Sequence, residues 1–216
     1  DSTGNIVVTG TVPTQPDETH NNLCLMFYSN STGTLEKGTT YTENGTTVKT
    51  GYDHIKELGA NTVQLVPVYD QDNKEITFAT SPLLRTMVQD KNGVLWIGTT
   101  EGILLINDPQ KMFDNNFRVH RIKIPRNDGT GLADYLLGTE EIKAIAVDGA
   151  NRKWIGTASS GVYLVSEDGL ETIHHFTAEN SPLLSNAVQS IAINEKTGEV
   201  FLGTGSGLIS YQSDAI

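Results

Sequence analysis

The sequence predicts an all-β protein assembled from repeated units of short antiparallel strands. Three observations carry that prediction. One pattern recurs as Val94-Leu95-Trp96-Ile97-Gly98-Thr99, as Lys153-Trp154-Ile155-Gly156-Thr157 and as Glu199-Val200-Phe201-Leu202-Gly203-Thr204. Each copy has the same neighbours: an alternating run before it (Met87 to Asp90, Ile145 to Asp148, Ile191 to Asn194) and a glycine-led apolar run after it (Gly102 to Ile106, Gly161 to Val165, Gly207 to Tyr211). Glycine, at 21 of 216 residues, clusters between these short runs, as in a chain of many turns.

Within one copy, the alternating run, the tryptophan run and the glycine-led run each read as a strand. Asp90-Lys91-Asn92-Gly93 and Lys196-Thr197-Gly198 read as hairpin turns, with Gly supplying the positive φ. A fourth run closes two copies, Phe117 to Ile122 and Thr172 to Phe176. Four antiparallel strands repeating roughly every 40–50 residues is the period of a β-propeller blade. Clear blades are expected at about 83–124, 140–177 and 187–211, with further blades within 1–80, all in one domain spanning 1–216. A lone blade cannot bury both faces, so Trp96, Trp154 and Phe201 are expected in the core between blades.

Upstream the pattern is fainter. Tyr69 to Leu84 parallels Ser166 to Leu184, which predicts Glu75 to Ala79 as the outer strand of a preceding blade. Asp1 to Thr9 parallels Asp90 to Gly98. The chain therefore opens at a turn inside one blade and stops at Ile216 after the third strand of another, the phase of a partial or incomplete ring. One short helix is expected near 51–58, where Ile55 and Leu58 share a face and Gly59 ends it.

The net charge of -11 makes nucleic acid and anionic membrane surfaces poor partners. Cys24 is the single cysteine, which excludes an internal disulfide and a thiol metal centre. No apolar run is long enough to cross a bilayer as a helix. No signal peptide is visible and the first residue is not Met, which reads as a processed form or a piece of a longer polypeptide.

The stretch Asp-x-x-Gly-x-Leu-Trp-Ile-Gly-Thr-x-x-Gly-Ile, from Asp90 to Ile103, resembles the two-component-regulator propeller repeat of periplasmic sensor proteins. Asn180 to Ile193, followed by Thr197-Gly198-Glu199-Val200-Phe201, is similar to the PorZ-type propellers of type IX secretion. These resemblances cover about residues 76–216. They imply an extracytoplasmic bacterial protein, in the periplasm or at the cell surface, that binds a glycan or lipopolysaccharide or docks a protein partner. Neighbouring domains or blades of a longer parent chain are also implied partners.

A second stretch, about 33–70, resembles type I pullulanases in Leu35 to Thr40 and Thr50 to Asp70. It implies a barrel helix at Tyr52 to Leu58, a following strand at Val63 to Pro67, and an alternative reading as a non-catalytic fragment of an α-glucan-debranching hydrolase. A retaining glycosidase needs two carboxyl groups facing each other across the scissile bond. The α-amylase motifs that carry them, Asp-x-x-x-Asn-His and a His-Asp pair, are absent. No catalytic residue, metal ligand set or cofactor is assigned.

Aligning the copies on Asp90, Asp148 and Asn194 puts Arg85, Lys143 and Gln189 at equivalent positions near the start of each innermost strand. These three are the candidate ligand-binding residues, able to donate to a carboxylate, a phosphate or sugar hydroxyls at the channel rim. His174 and His175 alternate to opposite faces of a strand and do not form a joint metal site. Asp70-x-Asp72-Asn73 lacks the glycine and closing Glu of a calcium loop and reads as an ordinary hairpin. The absence of paired catalytic carboxylates predicts that the pure protein releases no reducing sugar from pullulan. Release that is abolished by one Asp or Glu substitution would show the opposite.

Overall fold

The computed structural model describes residues 6–11, 23–28, 42–43, 46–47, 64–66, 68–76, 78, 82–111, 117–126 and 129–214. In chain order, β1 (Ile6–Thr11) and β2 (Leu23–Tyr28) precede a two-strand ladder of β3 (Thr42–Glu43) and β4 (Thr46–Thr47). β5 (Gln64–Val66) then pairs antiparallel with β2, giving the order β1-β2-β5. β6 (Val68–Tyr69) and β7 (Glu75–Ile76) form a hairpin. The first full repeat follows as β8 (Leu84–Gln89), β9 (Leu95–Thr99), β10 (Gly102–Ile106) and β11 (Val119–His120). A hairpin of β12 (Lys123–Pro125) and β13 (Ala133–Tyr135) leads to the second repeat. That repeat is β14 (Ile142–Val147), β15 (Lys153–Thr157), β16 (Val162–Val165) and β17 (Thr172–Phe176), an antiparallel sheet in sequence order. The third is β18 (Val188–Asn194), β19 (Glu199–Thr204) and β20 (Gly207–Gln212).

The architecture is all-β, in several antiparallel sheets, with no closed ring among the described residues. The helix expected near 51–58 lies outside the described residues, as does the phase comparison drawn from residues 1–5. Two expectations are corrected. Glu75–Ile76 does not form the outer strand of a preceding blade. The β6–β7 hairpin instead adds to the first repeat, where β6 runs parallel to β11, in the order β7-β6-β11-β10-β9-β8. Lys123 Nζ holds the hairpin there, 2.8 Å from the buried Asp70 carboxylate, and the Arg118 guanidinium lies 4.4 Å from the centre of the Tyr69 ring. Gln64–Val66 is a strand, but an antiparallel one paired with β2, whereas strands of a (βα)8 barrel run parallel to their neighbours. Among the described residues nothing supports a pullulanase-like segment.

The hairpin turns explain why the repeats pair in register. Asp90 Oδ1 accepts from the amides of Asn92 and Val94, both at 2.9 Å, which fixes the loop before β9. Gly93 takes φ +84° there, as the turn requires. Asp148 repeats the device with Ala150 and Arg152, and Asp70 with Asp72 and Lys74.

Strand alternation then sorts each middle strand into two faces. Trp96 and Gly98 face the second sheet, and Trp154 and Gly156 face the third. Trp96 packs with Ile142, Ile145, Ile155 and Val165, and Trp154 with Leu183, Val188, Val200 and Leu202. Both tryptophans are fully buried between sheets. Phe201 departs from the expectation: it is half-buried and outside both clusters, because no described sheet packs against its face. The glycine beside each tryptophan admits the next inner strand. A Cβ on Gly98 would sit 2.6 Å from Ile142 Cγ2 and Thr86 Cγ2, and one on Gly156 2.8 Å from Val188 Cγ1.

A charged clamp accompanies this apolar contact. Lys153 belongs to the second sheet and is 0% exposed, yet its Nζ lies 2.9 Å from Asp90 Oδ2 of the first sheet. Its other protons go to the carbonyls of Asn151 and Glu167, at 2.8 and 2.6 Å, and the Trp96 ring centre is 4.6 Å away. Trp96 Nε1 donates to the same Asp90 oxygen at 3.1 Å. Burial alone pushes the Asp90 carboxyl up; the bonds from Lys153, the Val94 amide and Trp96 outweigh it and hold the group below the ordinary carboxylate range.

Two predictions follow from this packing. Gly98→Ala forces a Cβ into Ile142 and Thr86, and urea unfolding will show a loss of about 1–3 kcal/mol. Asp90→Ala strands the Lys153 charge in the interior and will cost about 3–5 kcal/mol, while adding Lys153→Met to it will recover most of the loss. The depressed Asp90 carboxyl also contributes stability that is full above its unfolded pKa of about 3.9 and disappears as pH falls through its lower folded value. Acid unfolding of the double variant will lack this component.

Candidate functional site

The innermost strands β8, β14 and β18 each begin with an irregularity in pairing. The register shifts between Leu84 and Thr86, between Ile142 and Ala144, and between Val188 and Ser190. The residue skipped each time is Arg85, Lys143 or Gln189. A bulge re-aims the side chain it carries, so the repeat delivers three long polar groups at matching places.

The structure joins two of the three. Arg85 Nε and Lys143 Nζ each lie 2.7 Å from Glu141 Oε1, the residue just before β14. All three side chains are partly exposed, at 37%, 35% and 28%. The Lys143 bond is the largest influence on the Glu141 carboxyl; it and Arg85 hold that group below its ordinary range against a smaller opposing effect of burial. The cluster carries two positive charges and one negative, so a single cationic excess faces solvent within an acidic chain. Gln189, exposed, extends toward the turn at Gly205, 3.6 Å from where a Cβ on that glycine would lie, and is not bonded to the Arg85–Glu141–Lys143 group.

Glu141 was not singled out from the sequence. Its one signal was an opposite charge two positions from Lys143; the bulges that bring Arg85 and Lys143 to it are features of strand pairing. The histidines behave as alternation requires. His175 stacks on Tyr163 with ring centres 3.9 Å apart, while His174 lies on the other face beside Phe176. The Asp70 turn is a hairpin, held by Lys123. Among the described residues no group of three or more His, Cys, Asp and Glu is placed to hold a metal ion.

Residues 80–101, which contain the Arg85 bulge and the Trp96 strand, match the two component regulator propeller family. No curated protein sequence matches the chain. Among solved structures, PorZ of the type IX secretion system of Porphyromonas gingivalis superposes with a TM-score of 0.65 at 24% identity, covering 97% of this chain and 24% of that one. The extracellular domain of a hybrid two component system from B. thetaiotaomicron gives a TM-score of 0.48 at 22% identity, covering 95% of this chain and 27% of that one. The chain thus spans about a quarter of the length of these structures. With its repeated sheets packed face to face on Trp96 and Trp154, the chain has the fold of successive β-propeller blades.

Proposed function

We propose that this chain is a non-catalytic, extracytoplasmic propeller segment that binds or docks a partner in bacterial sensing or secretion. The ligand is a glycan or lipopolysaccharide, or a protein, received at the rim formed by Arg85, Lys143 and Gln189. One observation carries the reading: three successive inner strands open with a bulge, and each bulge presents a long polar side chain. The core contacts are made elsewhere, by Trp96, Trp154 and the glycines beside them, and Gln189 takes no part in the Arg85–Glu141–Lys143 group. The match of 80–101 to regulator propellers and the likeness of fold to PorZ support an extracytoplasmic setting.

Glu141 shapes what the rim accepts. It neutralises one of the two cations and leaves hydrogen-bond donors on both. A ligand that presents an anionic group beside sugar hydroxyls fits such a set. Gln189 adds an amide able to donate and accept.

Purified bacterial lipopolysaccharide is the probe for this reading. Each charge-assisted bond is worth roughly 1.5–3 kcal/mol, so the Arg85→Ala, Lys143→Ala double variant will bind at least about a hundredfold more weakly. Undiminished affinity in that variant overturns the rim assignment. Absence of binding by the unaltered chain overturns the lipopolysaccharide reading and leaves another glycan or a protein partner.

A further inference from the structure

Glu141 takes both of its cations on one oxygen. Arg85 Nε and Lys143 Nζ each lie 2.7 Å from Oε1, and neither contact is to Oε2. The carboxylate is partly exposed, so Oε2 is open to a further proton donor. The cations keep donors in reserve as well. An ammonium has three protons, and the Lys143 contact uses one of them. Arg85 meets Glu141 through Nε, and among the described residues its Nη groups donate to no other residue.

The acceptor is held by the main chain, not by the cations alone. The Glu140 carbonyl accepts from the Gly102 amide at the start of β10, and the Glu141 carbonyl from the Ala158 amide after β15, both at 2.9 Å. Gly102 takes φ +86°, and a Cβ there would stand 2.7 Å from the Leu137 carbonyl oxygen, so the first sheet closes tightly on the segment that leads to Glu141. Glu141 is thus fixed from the first and second sheets at once, and it keeps its place when a ligand engages Arg85 or Lys143. Donors beside an acceptor select a chemistry. A sulfate or a fully ionised phosphate brings acceptors only and meets Oε2 with nothing to share. A sugar hydroxyl donates to it. A carboxylate matches the planar fork of an arginine, and one such group balances the single cationic excess of the cluster.

We propose that Glu141 is the specificity-determining residue of the rim and that the sugar it selects is a uronic acid. The sugar carboxylate takes the Nη groups of Arg85 and the Lys143 ammonium, and a neighbouring ring hydroxyl donates to Glu141 Oε2. This inference rests on the reading of the rim as a glycan site. It adds the class of sugar, and it gives the work of selection to a carboxylate that otherwise serves only as a counter-ion.

The test follows the backbone amide signals of Thr86, Lys143 and Ala158 by nuclear magnetic resonance while D-glucuronate is added to the intact chain. Cyclohexanecarboxylate, the same anion on a six-membered ring without hydroxyls, is the comparison. The unaltered chain will bind glucuronate at least about tenfold more tightly than cyclohexanecarboxylate, the ratio that one charge-assisted bond supplies. In Glu141→Ala, which keeps the main-chain bonds, that ratio will fall to about one. Cyclohexanecarboxylate will bind the variant no more weakly than before, which shows that its rim is still formed. Equal binding of the two acids by the unaltered chain overturns the proposal and leaves the rim a site for anions in general. An unchanged ratio in Glu141→Ala overturns it as well, because another acceptor then does the selecting. Absence of any shift with either acid overturns the choice of a uronic acid, and the lipopolysaccharide measurement, made separately, then decides whether the rim reading stands.

Discussion

The approach of one sheet to the next is governed by a single contact, the seating of an inner-strand residue on the glycine of the preceding middle strand. Ile142 occupies the space above Gly98, and Val188 the space above Gly156. With no Cβ in the way, β14 comes close to the first sheet and β18 close to the second at the level of the glycine, while Trp96 and Trp154 fill the space between sheets two residues away on the same strand. Tryptophan and glycine are therefore two halves of one wedge, large at one level of the strand and absent at the other. Residues two apart share a face, which accounts for Gly following Trp by two in both copies.

The wedge also explains how a lysine can be buried completely. Between the apolar centre and the hairpin turns, the Trp96 ring and the Asp90 carboxylate form a pocket from the first sheet, and Lys153 enters it from the second. Desolvating an ammonium costs several kcal/mol, and only full satisfaction offsets it. Lys153 reaches that state through a carboxylate, two carbonyls and an aromatic face. Such a pair adds less stability than direction: an apolar side chain at 153 would pack in several sheet registers, but the ammonium fits only the one that brings it to Asp90. In the next repeat Asp148 is met by a cation of its own sheet, Arg152, whose Nε lies 2.7 Å from Asp148 Oδ2 and whose Nη2 reaches on to Asp214, at 2.6 Å, beyond the last strand of the third sheet.

What was legible in the sequence follows the same division. The repeat, the hairpin turns and the burial of Trp96 and Trp154 depend on residues close together in the chain and on period-two alternation, and all were readable. The equivalence of Arg85, Lys143 and Gln189 was readable too, because alignment on the turn aspartates counts residues along one strand. The bulge itself was not, since pairing with a partner strand has no local signature here. Contacts between repeats were hidden for a related reason. Lys153 reads as a strand-end charge until Asp90, sixty-odd residues earlier, is brought beside it. Phe201 occupies a tryptophan position, yet its burial depends on a neighbouring sheet and not on its own strand. The β6–β7 hairpin looked like an outer strand because its sequence resembles one; only the parallel ladder to β11 reveals which sheet it joins.

Faces and rim differ in what the fold demands of them. At the faces, every position is fixed by packing against the adjacent sheet, so sequence there is answerable to the wedge. At the entry bulges the backbone leaves its ladder for one residue, and the side chain it turns out is released from that obligation. Arg85 and Lys143 use the release to meet at Glu141, which ties two adjacent inner strands together at the surface. Ile142 seated on Gly98 fixes how far apart those strands lie, so the carboxylate and its two cations are positioned by the packing beneath them; a ligand received there, as proposed, would cost little side-chain freedom.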